Sequence, residues 1–313
     1  MIESYQIDNI RKKDHPISIA LGNFDGIHLG HAKVIETAVD AAKKNQGEAW
    51  IITFDPHPRK VLNPKTAPPL LNTKDQQKRF FDLLGIDQLV IQKFDDVFMK
   101  LSPESFFFMI KEKIPSLTSI SVGENWSFGK DRLGNVKLLK KLCLENNISF
   151  NAQDSVNLHN QRISSSRIRK SIQSGKIKEA NQMLLYPFSI VGTVVHGEKI
   201  GRKLGYNTAN IDPENECLPS SGIYASKMSF EGNIYNAATY IGERKTIHSN
   251  KPVVIETHLL EEKNINLYTK KVEVTFFEKI RDDQNLKNIK NLKNQIKIDI
   301  ENIKDTLKKY SKK

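Results

Sequence analysis

The chain has 313 residues, 38% of them hydrophobic, two cysteines and a formal net charge of +12. That length suits two domains. No apolar run is long enough to span a bilayer, and the N-terminus MIESYQIDNIRKKDHP has no apolar stretch behind its charges to make a secretory signal. Cys143 and Cys217 lie far apart with no metal-ligand spacing, so a reducing cytoplasm without a membrane partner is expected.

From Ile17 to about Phe150, strands and helices alternate. Ile17–Leu21 is a short apolar strand, and Leu29–Lys44 has helical spacing with Val34, Ile35, Ala38, Val39 and Ala42 on one side. Trp50–Phe54 is a second strand, Thr73–Leu84 a helix capped by Thr73, and Leu89–Gln92 a third strand. Pro103–Lys113 is a helix capped by Ser102, Ser119–Val122 a fourth strand, and Val136–Asn146 a further helix. This alternation predicts an α/β domain: a Rossmann-like parallel sheet with helices on both faces and ligands at the carboxyl ends of its strands.

The pattern changes after Tyr186-Pro187, so the expected domains are 1–186 and 187–313. Ile190–His196, Gly222–Met228, Ala237–Gly242, Val253–Leu260 and Lys271–Phe277 read as strands joined by turns, which predicts an antiparallel barrel or compact sheet. From Asp282 to about Tyr310, Leu286, Ile289, Leu292, Ile296, Ile300, Ile303 and Leu307 recur at helical spacing, so one amphipathic helix packs on it.

The first candidate site comes directly after the first strand: Gly22-Asn23-Phe24-Asp25-Gly26-Ile27-His28-Leu29-Gly30-His31. Glycines allow a tight turn and close backbone approach, and the helix start beyond them attracts phosphate through its open N–H groups. His28 and His31, three residues apart, face the same side. Both can donate to phosphate oxygens and stabilise charge growing during an in-line displacement. The plainer alternative is a glycine-rich turn with two surface histidines; placement at a strand–turn–helix junction favours the functional reading.

These residues resemble the His-x-Gly-His signature of nucleotidyltransferases, and the longer GNFDGIHLGH resembles the bacterial bifunctional riboflavin kinase/FAD synthetase family. FDPHPRKVLNP (54–64), VGENWSFGKDRLGN (122–135) and RISSSRIR (162–169) agree with that family and keep its order. The resemblance implies that Gly22, Asn23, Phe24, Asp25, Gly26, Gly30, Ser165, Ser166 and Arg169 bind ATP with the two histidines; Ser166 stands where the family usually has Thr. Asn125, Trp126 and Phe128 are candidates for holding a flavin, and His57 and Arg59 match a family segment near the FMN site. Trp126 and Phe128 read equally well as core residues.

The second candidate site begins with GTVVHGEKIGRKLGYNTANI (192–211), carrying Gly197, Gly201 and Gly205. It is neither a P-loop nor a protein-kinase glycine loop, but its backbone can cover phosphates. Thr208 and Asn210 share one side of an extended segment and offer oxygen ligands to Mg²⁺ carrying ATP. Glu256, in VVIETHLL, can accept the proton of an attacking hydroxyl; taken alone, an outward-facing strand carboxylate is the simpler reading. LPSSGIYA (218–225), ATYIGERKT and ETHLL resemble the riboflavin kinase domain. The resemblance implies a six-stranded antiparallel barrel with a C-terminal helix, Thr208 and Asn210 at Mg-ATP, and Glu256 as base. Two departures fall here: Asn207 replaces the proline of Pro-Thr-Ala-Asn, and Tyr240 and Lys245 replace the Asn and Pro of Asn-Ile-Gly-x-x-Pro-Thr.

The sequence thus points to a two-step flavin enzyme acting on riboflavin, FMN and ATP with Mg²⁺. One alternative is an adenylyltransferase whose kinase half only binds flavin. Another, prompted by the charge, is a basic nucleic-acid-binding or regulatory protein. The charge forms no compact Arg-rich patch with interleaved aromatics and also suits phosphate substrates, so no nucleic-acid partner is expected.

Overall fold

A computed structural model of the chain describes residues 1–197, 205–243, 253–261, 265–284 and 288–310, which divide into two units, Met1–Ser164 and Ser165–Lys313. The first runs β1 (Ile2–Tyr5), β2 (Ile17–Leu21), α1 (Leu29–Lys44), β3 (Glu48–Asp55), α2 (Pro58–Leu62), α3 (Lys74–Leu83), β4 (Gln88–Lys93), α4 (Pro103–Lys113) and β5 (Leu117–Gly123). A short hairpin of β6 (Ser127–Phe128) and β7 (Gly134–Asn135) comes next, then α5 (Val136–Glu145), β8 (Ser149–Gln153), and a second hairpin of β9 (Asn157–Leu158) and β10 (Gln161–Arg162). The main sheet has the order β1-β4-β3-β2-β5-β8, and all its ladders are parallel.

A parallel sheet needs both faces covered, and the sequence supplies the cover. Ile17, Ile19 and Leu21 of β2 share a core with Phe106 and Ile110 of α4 and Leu139 and Leu142 of α5. The expected apolar side of α1 is buried from Val34 to Ala42, and this helix packs on β2, β3 and β5. Thr73 caps α3 in a capping box with Gln76, and Ser102 caps α4 ahead of Pro103. The crossover after β2 leads to β3 on one side, whereas the one after β5 leads to β8 on the other. Neighbouring crossovers that diverge open a crevice at the carboxyl ends of their strands. Two of the sequence-identified segments, GNFDGIHLGH and GENWSFGKDRLGN, come after β2 and β5 and so flank it.

The second unit contains α6 (Ser165–Gln173), α7 (Ile177–Met183), β11 (Ser189–Val195), β12 (Thr208–Pro213), β13 (Gly222–Phe230), β14 (Asn233–Glu243), β15 (Val253–Leu259), β16 (Lys271–Arg281) and α8 (Ile289–Tyr310). The strands close into an antiparallel barrel in the order β11-β12-β15-β14-β13-β16. The expected boundary near Tyr186 and the division at Ser164 differ over α6 and α7. Asn181 of α7 accepts from the Phe188 amide and donates to the Phe276 carbonyl of β16, both at 2.8 Å, which ties α7 to the barrel wall.

Two faces of the barrel are used differently. Ser226, Thr239 and Thr257 form a hydroxyl ladder with spacings of 2.7 and 3.0 Å, and all three are buried. The alternate positions face outward. There Ile303 and Leu307 of α8 pack on Ile223, Ala225, Ala238, Leu260, Phe277 and Ile280. The tail helix begins at Ile289, later than expected; Leu286 lies outside the described residues. Arg281, at the end of β16, reaches Asp299 of α8 through Nε–Oδ1 at 2.9 Å and Nη2–Oδ2 at 2.8 Å. Asp299 is 4% exposed and also accepts from Gln295 at 3.0 Å, so this forked, hydrogen-bonded pair fixes α8 in rotation.

Removing one partner of a buried pair leaves the other charge uncompensated. Asp299→Ala is therefore expected to destabilise the chain by about 3 kcal/mol, read as a lower urea midpoint by circular dichroism. A loss below about 1 kcal/mol, the surface ion-pair range, would contradict this role.

Candidate active sites

Helix α1 begins with His28 as its N-cap. The His28 Nδ1 accepts from the His31 backbone N–H at 3.1 Å, doing what a Ser or Asp oxygen ordinarily does. Gly30 permits it, because a Cβ there would stand 3.1 Å from His28 Cε1. The His31 Nδ1 lies 3.2 Å from the Gly26 carbonyl oxygen, and the two rings stack at 3.6 Å between centroids. Phe24 meets His31 edge-on at 5.3 Å.

The hydrogen bonds assign the tautomers. Nδ1 of His28 accepts, so in the neutral ring Nε2 carries the proton. Nδ1 of His31 faces a carbonyl, which can only accept, so it carries the proton and leaves Nε2 with a lone pair. Burial lowers the pKa of His28 to about 4, and the Arg162 charge pushes the same way. Burial and then His28 place His31 well below its ordinary value. Near neutral pH the pair therefore presents one donor and one acceptor at Nε2. A nearby anion would favour proton uptake by His31, which would turn its Nε2 into a second donor.

The turn ahead of α1 is braced from behind. Asp25 Oδ1 accepts from the Leu71 amide at 2.8 Å. Gln77 Nε2 donates to the Asn23 and Phe24 carbonyls, both at 3.1 Å. Asn23 Oδ1 is buried without a protein hydrogen-bond partner, which leaves that side-chain amide available to a ligand. Gly22 lies under the Phe24 ring, 2.7 Å from Cζ for an added Cβ, and Gly26 adopts φ +65°.

On the flavin-candidate side, Phe128 is 6% exposed and packs on Phe106 at 5.5 Å, which makes it a core residue. Trp126 stacks on Phe54 at 6.3 Å, is partly buried, and its Nε1 has no protein partner. Asn125 is exposed and donates to Glu124 at 3.1 Å. His57 caps α2 by accepting from the Arg59 amide at 3.2 Å, and Arg59 is exposed. Arg162, not singled out as a site residue by the sequence reading, acts on His28. Ser165, Ser166 and Arg169 open α6 in the second unit, where Arg169 is buried.

In the barrel, the register places Asn210 beside Glu256 and Glu256 beside Tyr240. Thr208 pairs with His258 one outward step along the same strands. Cross-strand partners share a face, so Thr208, Asn210, Glu256, His258 and Tyr240 form one outward-facing group. Gly197 lies over Asn210: a Cβ there would fall 2.1 Å from Asn210 Nδ2. Gly205 adopts φ +89°, whereas Gly201 and Lys245 lie outside the described residues. The Tyr240 hydroxyl donates to Asp283 Oδ2 at 3.1 Å, and its pKa is pushed up to about 12 by burial, then by Asp283 and Glu256.

The chain thus joins a helix start at the crevice of a parallel sheet to a closed barrel with a carboxylate amid amide and hydroxyl oxygens on its outer face. The FAD synthetase family pattern matches residues 10–167 and the riboflavin kinase pattern residues 184–307. The chain belongs to the bifunctional riboflavin kinase/FMN adenylyltransferase family. A protein of that name from Buchnera aphidicola subsp. Schizaphis graminum is 36% identical over 301 residues, spanning 95% of this chain and 96% of the relative. One from Bacillus subtilis is 33% identical over 296 residues, spanning 93% and 92%. A crystal structure described as a macrolide-efflux protein from Streptococcus pneumoniae aligns with a TM-score of 0.87 at 27% identity, covering 96% of this chain and 98% of that one. Among the described residues of the present chain, no helix is long and apolar enough to cross a membrane.

The histidine pair carries a pH signature. A folded pKa near 4 against 6.5 means that below about pH 6.5 the unfolded chain binds a proton the native site refuses. The associated stability, roughly 3 kcal/mol for His28, is fully present above that pH and lost on acidification toward pH 4. His28→Asn keeps a capping oxygen and removes the titration. Its urea-unfolding free energy should fall less than the parent's between pH 7 and pH 5, by about 2 kcal/mol. Equal losses would contradict the buried, neutral assignment.

Proposed function

We propose that the chain converts riboflavin to FMN and FMN to FAD, using ATP in both steps. The activities divide between residues 1–186 for adenylyl transfer and 187–313 for phosphorylation. The observation that carries the proposal is the match of both family patterns, in order and along nearly the whole chain. The two local geometries support it.

In the barrel, the ribityl 5′-hydroxyl of riboflavin attacks the γ-phosphorus of ATP and passes its proton to Glu256, releasing ADP. The place of Glu256 between Asn210 and Tyr240 on the outward face supports it as the base. Thr208 and Asn210 supply neutral oxygens suited to Mg²⁺, and the close approach of Gly197 to Asn210 supports a backbone cover over phosphates; the family resemblance extends ATP binding to Gly201 and Gly205. Mg²⁺, when bound, neutralises charge on the transferring phosphates.

In the parallel-sheet unit, an FMN phosphate oxygen attacks the α-phosphorus of a second ATP and pyrophosphate leaves. His28 donates from Nε2 to a phosphate oxygen, and His31 does so once protonated. Gly22, Asn23, Phe24, Gly26 and Gly30 shape the turn, with Asp25 organising it. The family resemblance supports roles for Ser165, Ser166 and Arg169 with the ATP phosphates. It also supports Trp126, Asn125, His57 and Arg59 on the flavin side. Both reactions are direct displacements without a covalent enzyme intermediate. The buried thiols Cys143 and Cys217 suit a reducing cytoplasm.

A second reading, an adenylyltransferase whose barrel binds flavin without phosphorylating it, is favoured by one observation. Tyr240 places a half-buried ring beside Glu256 where the family has Asn.

Separate variants distinguish the half-reactions. Glu256→Gln should abolish riboflavin phosphorylation and leave FMN-to-FAD conversion intact. His28→Asn should lower FAD formation by roughly a hundredfold and spare phosphorylation. Gly197→Ala, which drives a methyl into Asn210, should raise the kinase KM for Mg-ATP about tenfold or more. Near-parental phosphorylation by Glu256→Gln would remove Glu256 as base, and a parent without phosphorylation would establish the second reading.

A further inference from the structure

The ladder between β12 and β15 begins at Thr208, opposite His258. One residue earlier, the Asn207 carbonyl oxygen lies 2.8 Å from His258 Nδ1. A carbonyl can only accept, so Nδ1 carries the proton and donates. The side chain of the residue opposite Thr208 thus extends the backbone ladder by one step, holding the peptide that enters the strand. Tyr206 meets the His258 ring edge-on at 5.3 Å, so its neighbour on the same entry segment steadies the imidazole.

That bond sits directly ahead of the two residues assigned to Mg-ATP, Thr208 and Asn210, which point outward on the same face as His258. A proline before this threonine, as in the resembled Pro-Thr-Ala-Asn motif, would fix φ. This chain has Asn207, whose φ is not restricted by a ring. A hydrogen bond to the carbonyl of the same residue supplies a restraint by another route, since holding that peptide plane restrains ψ of Asn207 and φ of Thr208.

We propose that His258 is a positioning residue for the kinase reaction: it orders the Asn207–Thr208 peptide and thereby presents Thr208 and Asn210 to Mg-ATP. This rests on the reading of the barrel as the riboflavin-phosphorylating half. His258 acts through the backbone and touches neither nucleotide nor flavin. It governs the affinity for Mg-ATP and leaves the chemical step to Glu256.

The test uses the full chain with His258→Ala, His258→Phe and His258→Asn. Asparagine places an N–H donor where Nδ1 stands, whereas phenylalanine keeps a ring beside Tyr206 and loses the donor. The kinase KM for Mg-ATP should rise about tenfold in the Ala and Phe variants, the scale of one lost hydrogen bond. It should return close to the parental value in the Asn variant, with kcat within about threefold throughout. FMN-to-FAD conversion should be unchanged. Amide hydrogen exchange over residues 206–210, measured by mass spectrometry without nucleotide, should quicken in the Ala and Phe variants alone. Unchanged exchange in the Ala variant would overturn the proposal. So would equal kinetic damage in the Ala and Asn variants, because the imidazole would then act by contact with nucleotide or flavin. A parent that phosphorylates no riboflavin overturns the link to Mg-ATP, while the exchange measurement still decides whether His258 orders this strand entry.

Discussion

Helix α1 starts on an imidazole, and the chemistry of the first unit depends on that choice. A helix start leaves backbone N–H groups without internal partners; here one of them, on His31, is satisfied by His28 Nδ1. The same bond sends the His28 proton to Nε2. Because the next ring is held at the Gly26 carbonyl, its proton goes to Nδ1. Two chemically identical side chains thus become a donor and an acceptor through their local partners. Burial holds both neutral, so neither ring carries a fixed charge near neutral pH.

The barrel solves a different problem. A closed barrel has an inside and an outside, and polar residues occur on both. Inside, Ser226, Thr239 and Thr257 satisfy one another and serve packing. Outside, Thr208, Asn210, Glu256, His258 and Tyr240 share a face because strand pairing sets their register. A one-residue slip would exchange the two sets. The α8 helix covers another part of the outer face, and the Arg281–Asp299 fork fixes where that cover lies.

Much of this was legible in the sequence. Ile17–Leu21, Leu29–Lys44 and Pro103–Lys113 have the bounds that periodicity and capping residues predict, because apolar spacing and caps are local signals. Edge strands β1 and β8 were missed: Ser149–Gln153 reads SFNAQ, too polar to look like a strand, and is held by its pairing with β5. The change of pattern after Tyr186 puts helices α6 and α7 in the first domain, whereas the compact units divide after Ser164 and bonds from Asn181 tie α7 to β16. His28 and His31 were identifiable from spacing and position. Their opposite tautomers were not, since these depend on which backbone atoms each ring meets. Phe128 and Trp126 looked alike in sequence, and only packing separates a core ring from a partly buried one. His258 went unassigned because its partner is a main-chain carbonyl, which no residue pattern reveals.

One chain performing two successive transfers to a flavin is directly measurable. The full chain is incubated with riboflavin and Mg-ATP, and samples quenched over time are separated into riboflavin, FMN and FAD. Riboflavin should decline, FMN appear first, and FAD accumulate at its expense with release of one ADP and one pyrophosphate per FAD. Riboflavin that persists unchanged, or added FMN that fails to become FAD, would contradict it.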